Sequence, residues 1–329
     1  GTAAIGVAGV TPLVALTAML PFSPQLLVRP LTADDLPALL PLLNRQLGKA
    51  LYSLPMEEAE AAVQLWAPEP ATVFPVRWQQ RQLLGVWRAG QLLGLVDVAA
   101  GHDGESAAPE EHRTLGIIRF LVLPDDGAAA ADVTQALLAE ATIFWKSQSV
   151  TLLQAYPMRT GYPSFQLGVG LLPGDWNEQV RHLTGAEFRF TERYYCYFRP
   201  LATLMEETTP QIQVSLSLRG STLDRRYQVF YRRTELIGEG RVIVRPAKVK
   251  ETIEPIGSLV QWHIDHAWRN QRIGRWLLRR MLNDATVAGC KEMVVHVPLS
   301  RFSAINLFGQ HGFEEHNYRG YTLQRPPFE

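Results

Sequence analysis

Cysteine is almost missing from this chain: 329 residues hold only Cys196 and Cys290. They lie far apart in apolar, strand-like runs, so they build neither a disulfide framework nor a metal-ligand spacing. Buried thiols in a reducing, cytoplasmic setting are the expectation. Net charge is missing too, because 32 Lys and Arg are balanced by 32 Asp and Glu. That balance removes the global electrostatic case for nucleic acid or an anionic membrane as partner. The histidines are scattered, and the close pair His263 and His266 falls in a strand-like stretch, so no metal site is expected. The first 28 residues carry no charge at all. They also lack a basic n-region, and Pro12, Pro21 and Pro24 interrupt them, which argues against a signal peptide or membrane span. Met19 is read as a native start and residues 1–24 as an apolar N-terminal extension, with a peripheral apolar arm as the alternative.

What remains is an ordinary globular composition, 47% hydrophobic and 19% charged, long enough for two cores. Laid on itself at an offset of roughly 142 residues, the chain repeats. Leu83 to Val98 reads strand–turn–strand around Ala89-Gly90, and Tyr227 to Val244 reads alike around Thr234-Glu235. Strand Gly116 to Pro124 corresponds to Ser258 to His266. Helix Ala131 to Lys146 corresponds to Arg272 to Ala288, and strand Val150 to Pro157 to Lys291 to Pro298. Each half then closes with a helix and an aromatic strand, ending in Arg199-Pro200 and Arg325-Pro326. This alternation predicts an α/β fold, a mixed sheet with helices on both faces, in two tandem domains. The domains are expected at 25–200 and 212–329, joined by a linker over 201–211. The first carries a front helix over Leu36 to Leu43, capped by Thr32. The second begins directly with strands and is expected to borrow packing surface from the first.

Local charge is concentrated where Ser258 to His266 gives way to a helix. Arg269, Arg272, Arg275 and Arg279 crowd that junction. The first N–H groups of a helix lack partners, and the helix dipole adds partial positive charge there, so the junction reads as a diphosphate cradle. Ile273, Leu277, Met281 and Ala285, widened by Leu278 and Leu282, give the helix its core stripe. A solvated arginine face is the bland reading of the same residues. At the equivalent point the first half has Asp125, Asp126 and Asp132 with no arginine, an arrangement that repels diphosphate. Asp125 or Asp126 is expected to cap the helix there.

Strand, Arg269-x-x-Arg272-x-Gly274, amphipathic helix, strand, helix and Gly312-Phe313 together resemble the GCN5-related N-acetyltransferase (GNAT) family. Ala304 and Phe308 match its closing pattern in spacing. The resemblance implies an acetyl-CoA site in the second half, with pyrophosphate held by backbone N–H groups across Asn270, Gln271, Arg272, Ile273, Gly274 and Arg275, and by Arg269. It implies pantetheine pairing along Gln261 to Asp265 as an added strand. An oxyanion would be met by a backbone N–H near Ile264 or Asp265. His263 and Asp265, on one face of the strand, are the candidate bases for an attacking amine. Three positions depart from the family: Arg272 replaces a glycine, Arg301 stands where Asn is common, and Phe308 occupies the place of a proton-donating Tyr. Tyr318 or Tyr321 is a candidate substitute for that Tyr. Tyr162 and Trp176, in the insert Gly161 to Trp176, either line the acceptor groove or belong to the core.

The functional expectation is an acyl-CoA-dependent N-acyltransferase acting by direct attack in a ternary complex. A catalytically impaired acyl-CoA-binding or partner-binding tandem protein is the alternative. The partners expected are a small-molecule or peptide amine acceptor and, for assembly, a homodimer.

Overall fold

The computed structural model describes residues 25–74, 76–103, 115–150 and 152–326, so the N-terminal extension lies outside them. The first half runs β1 (Leu27–Pro30), α1 (Leu36–Leu47), α2 (Glu58–Trp66), β2 (Val76–Arg88), β3 (Gln91–Asp103), β4 (Leu115–Val122), α3 (Gly127–Ser147), β5 (Leu152–Ala155), β6 (Leu172–Pro173), α4 (Asn177–Gly185) and β7 (Arg189–Pro200). The second runs β8 (Val214–Gly220), β9 (Asp224–Tyr231), β10 (Glu235–Val249), β11 (Thr252–Ile264), α5 (Ile273–Val287), β12 (Glu292–Pro298), α6 (Phe302–Gln310) and β13 (Glu314–Arg325). The repeat is therefore real at the level of elements: β2–β3–β4–α3–β5 is matched by β9–β10–β11–α5–β12.

Local chemistry accounts for the best-specified pieces. The β2–β3 hairpin turns at Ala89 and Gly90, both at positive φ (48° and 78°), as a right-twisted two-residue turn requires. Helix α5 buries Ile273, Leu277, Leu278, Met281, Leu282 and Ala285, the stripe read from sequence. It ends at Gly289, whose φ of 85° lets the Cys290 N–H return to the Ala285 carbonyl at 3.0 Å. Before α1, the Thr32 N–H donates to the Asp35 carboxylate at 2.9 Å, and Asp35 also receives Arg29 at 2.7 Å.

The strands form one 13-stranded sheet in the order β1-β2-β3-β4-β5-β13-β7-β12-β11-β10-β9-β8, with β6 set against β13. The two halves thus share a sheet, and they do so by exchange. Strand β7 leaves the first half to pair with β12, from Pro200 opposite Glu292 to Tyr194 opposite Pro298. Strand β13 leaves the second half to pair with β5, Leu323 opposite Ala155. Between them β7 and β13 pair with each other. In the first half α3 and α2 take opposite faces. Gly94 of β3 leaves room for Val133 of α3, while Asp97, of opposite parity, faces the Arg119 that Gln64 of α2 holds. In the second half α5 and α6 share one face, and the expectation of helices on both faces fails there. Its other face is covered by first-half segments. Tyr52 and Leu167 pack with Ala247, Ile256 and Val294, and Arg241 lies over Phe74. The segment between β7 and β8 is strapped to α5: Asn283 exchanges hydrogen bonds with the Met205 backbone at 2.7 and 2.8 Å. Among the described residues no helix is long and apolar enough to cross a membrane.

The shared region holds a buried polar network. The Tyr52 hydroxyl donates to Glu292 and meets His316 Nε2 at 2.5 Å, while His296 Nε2 lies 2.9 Å from the Tyr318 hydroxyl. Burial lowers His296 from 6.5 to about 4. Above pH 6.5 both the folded and unfolded imidazoles are neutral. Between pH 6.5 and about 4 only the unfolded one binds a proton, so stability falls as the pH falls, by about 3 kcal/mol from this residue. Urea unfolding across that window is expected to show a shallower loss in His296→Asn than in the unsubstituted protein. Identical slopes would contradict this reading.

Candidate functional site

Strands β11 and β12 run parallel for only three residue pairs, Ile256 to Ser258 against Glu292 to Val294. At the end of that pairing β11 bulges at Val260, and the two strands separate. On its other side β11 remains bonded to β10: the Asp265 N–H donates to the Ile237 carbonyl at 2.9 Å. In an antiparallel pair such bonds alternate, so the N–H and C=O groups of Trp262 and Ile264 face away from β10, into the gap. Two arginines already reach carbonyls on that edge, Arg269 Nε to Ile264 at 3.1 Å and Arg159 Nη2 to Val260 at 3.5 Å.

The gap widens into a cleft of about 860 Å³ that ends at the start of α5. That helix begins without a side-chain cap, and its first internal bond runs from the Trp276 N–H to the Arg272 carbonyl. The N–H groups of Ile273, Gly274 and Arg275 therefore have no partner within the helix. Gly274 brings the helix close: a Cβ there would sit 3.0 Å from the Trp262 ring, whose Nε1 donates to the Gly274 carbonyl at 3.2 Å. Arg269, Arg272, Arg275 and Arg301 line this end of the cleft. Among the described residues the guanidinium groups of Arg272 and Arg301 bond to no protein group.

The residues expected from sequence are mostly brought together. Ile264, Arg269, Asn270, Arg272, Gly274, Arg275 and Phe308 line the cleft. Gln271 and Ile273 do not, and the Ile273 side chain is wholly in the core, leaving only its N–H at the site. Arg279 is turned away to the Glu206 carbonyl at 3.0 Å. His263 Nε2 and Asp265 Oδ1 lie 3.1 Å apart, both half exposed, on the face away from α5. His263 borders the cleft, whereas Asp265 stands outside its lining. The Asp265 N–H is consumed by Ile237, so of the two oxyanion donors expected only Ile264 remains. The strand also stops earlier than expected, at Ile264, and His266 belongs to a 3-10 turn over His266–Trp268.

Phe308 is 2% exposed, wedged between Trp262 and Phe313, and donates nothing. Neither proposed substitute reaches the cleft: Tyr318 is bonded to His296, and Tyr321 packs on Phe190. Both cysteines are buried outside the cleft, their thiols pushed up by burial to about 12 at Cys196 and about 11 at Cys290. Sequence reasoning missed three first-half contributors to the lining, Met158, Arg159 and Tyr194. No motif marks them, because the strand exchange brings them there.

The same place in the first half is closed. Strand β4 bulges at Arg119 as β11 does at Val260, and its exposed edge is then taken by a side chain. The Tyr156 hydroxyl accepts from the Leu121 N–H at 2.9 Å and lies 3.4 Å from the Leu121 carbonyl. Phe120, Tyr162, Phe165 and Trp176 fill the space, so Tyr162 and Trp176 are core and not groove. Asp126 caps α3 through the Ala128 N–H at 3.1 Å, and Asp125 is paired with Lys49 at 3.0 Å. Buried Arg119 fills the remaining volume, 2.6 Å from the Thr160 carbonyl and 2.9 Å from Gln64 Oε1.

Set beside known proteins, residues 190–313 match the profile of the Acetyltransferase (GNAT) family. No curated protein is significantly similar to the chain in sequence. Among solved structures, a tandem GNAT protein from the clavulanic acid biosynthesis pathway superposes with a TM-score of 0.63 at 15% identity, covering 93% of this chain and 99% of that one. A GCN5-related N-acetyltransferase from Sphaerobacter thermophilus gives 0.57 at 11% identity, covering 92% and 96%. At such identities the likeness is one of fold, a GNAT-like arrangement repeated twice along the chain.

Arg272 sits at φ 64°, ψ 4°, the left-handed conformation that glycine adopts without strain. Arg272→Gly is expected to stabilise the fold by up to about 1 kcal/mol, measured by urea unfolding, despite the loss of a charge. A lower unfolding midpoint would show that no strain is stored there.

Proposed function

We propose that the chain is an acyl-CoA-dependent N-acyltransferase whose donor binds in the β11–β12 cleft of the second half. The observation that carries this reading is a strand edge that no other strand pairs, leading directly into an uncapped, arginine-ringed helix start. Pantetheine has amides to pair with the Trp262 and Ile264 backbone, and the diphosphate needs unpartnered N–H groups and guanidinium charge at the far end. The two features border one cleft, and in the first half the corresponding edge is filled and the corresponding helix start is capped. The domains are then a donor-binding unit over 212–329 and a degenerate partner over 25–200 that covers its acceptor face.

The acceptor is a small-molecule or peptide amine approaching the face where His263 and Asp265 stand. The Ile264 N–H, which faces the cleft, is the donor that would meet the negative charge developing on the thioester oxygen. His263, held by Asp265, is placed to take a proton from the attacking nitrogen directly or through water. A second reading, a protein that binds acyl-CoA without turning it over, is favoured by Phe308, which removes the usual donor to the leaving thiolate.

Acetyl-CoA at a hundred times its dissociation constant is expected to stabilise the protein by about 2.7 kcal/mol, seen as a raised melting temperature. Gly274→Asp should remove that shift, since it adds bulk against Trp262 and negative charge among the unpartnered N–H groups. Asp132→Asn in the first half should leave it nearly unchanged. A protein that ignores acetyl-CoA, propionyl-CoA and free CoA alike would refute both readings. Thiol release across an amine panel then separates enzyme from binder.

A further inference from the structure

We propose that the seam between α5 and α6 is a second anion site, built for a phosphate monoester by Arg199, Arg275 and Arg279 around His311. It begins where the diphosphate cradle ends. Arg275 borders both, and Arg279 follows it one turn later on the same face of α5. Arg275 Nη2 donates to Gln310 Oε1 at 3.0 Å, and Arg279 Nη1 donates to the Glu206 carbonyl at 3.0 Å. Arg199 arrives from the first half on β7 and donates from Nη1 to the His311 carbonyl at the end of α6. Gly312 makes that approach possible, since a Cβ there would stand 2.7 Å from Arg199 Nη1.

What marks the seam is charge that the protein does not neutralise. Elsewhere the chain sets arginines against carboxylates: Arg29 with Asp35, Arg81 and Arg119 with Asp97, Arg225 with Asp284, Arg241 with Asp224. Even Arg280, next to Arg279, takes Glu207 and Asp284. Among the described residues Arg199, Arg275 and Arg279 have no ion pair, and each uses one of its five N–H donors on a neutral oxygen. Arg199 Nε, Arg279 Nε and His311 Nε2 are buried and unpartnered. The His311 ring is 2% exposed, and its Nδ1–H is committed to the Leu307 carbonyl at 2.8 Å. Burial first, and then repulsion from Arg279, Arg275 and Arg199, holds this imidazole below its ordinary 6.5, so all three guanidinium groups bear on one ring.

A single cation satisfies the last carbonyl and the dipole of α6, and Arg199 alone does that. Three like charges gathered without a carboxylate repel one another and lose hydration, which a bound anion offsets. Each guanidinium fork matches a pair of phosphate oxygens, and a phosphate monoester brings about two negative charges and three acceptor oxygens. At the matching place in the first half, Arg181 of α4 is already bound to Glu178 at 2.5 Å. Two sources carry the required group. One is the 3′-phosphate of coenzyme A, whose diphosphate lies one helical turn away under the acyl-CoA reading above. The other is free phosphate, which does not depend on that reading.

The test uses Arg279→Gln, which lies outside the cleft lining, with three probes at constant ionic strength: coenzyme A, its 3′-dephospho form and inorganic phosphate. By calorimetry the unsubstituted protein is expected to bind coenzyme A about tenfold more tightly than the dephospho form. Arg279→Gln should lose that preference while binding the dephospho form as before, which assigns the seam to the 3′-phosphate. If the two coenzymes bind alike, inorganic phosphate should raise the melting temperature of the unsubstituted protein more than that of Arg279→Gln, which assigns it to free phosphate. A variant that matches the unsubstituted protein in both measurements overturns the site. So does one weakened equally toward both coenzymes with an unchanged response to phosphate. Failure of the unsubstituted protein to bind either coenzyme refutes the acyl-CoA reading, and the phosphate measurement then decides the site by itself.

Discussion

Backbone hydrogen-bond groups must find partners, and the structure turns on where two parallel strands stop providing them. In both halves a parallel pair holds for a few residues, a bulge intervenes, and the strands diverge. Divergence leaves N–H and C=O groups facing a gap, which is unfavourable unless something occupies it. The first half answers from within, with Tyr156 bonding both backbone groups of Leu121. The second half leaves the gap open and surrounds its far end with guanidinium groups. One unmet requirement thus separates a filled core from a ligand cleft on the same scaffold.

The filled half is not idle. Its strand β7 completes the sheet beside β12, and its loops cover the face that α5 and α6 leave bare. The acceptor side of the cleft is therefore built jointly, with Met158, Arg159 and Tyr194 from one half facing His263 from the other. Degeneration at one site and dependence at the other are two sides of the same exchange. The buried pairings of Tyr52 with Glu292 and of His296 with Tyr318 lie in this shared zone, which makes it polar as well as apolar.

Much of this was legible in the residues. The core stripe of α5, the hairpin turn at Ala89-Gly90, the stop at Gly289 and the absence of a cradle around Asp125 and Asp126 follow from local spacing and side-chain chemistry. That Ile264, Arg269, Asn270, Arg272, Gly274 and Arg275 come together at one cleft followed because helix starts and strand edges are local features, whereas Asp265, Gln271 and Ile273 fell outside its lining. What escaped was decided at a distance. His266 looked like strand because its neighbours alternate, but the last ladder bond falls at Asp265 and the chain then turns. Tyr162 and Trp176 became core because the first cleft closed on them. Tyr194 was invisible as a site residue, since no local pattern says which half a closing strand will join.

The exchange also sets an order on the birth of the protein. During synthesis β5 emerges well before its neighbour β13, because the elements from β6 to α6 lie between them in the chain. The first half must wait with one edge unpaired until β13 has been made. Pairing across so long an interval of sequence is entropically slow. The apolar edge of β5 is thus the place where a nascent chain is most exposed to wrong partners.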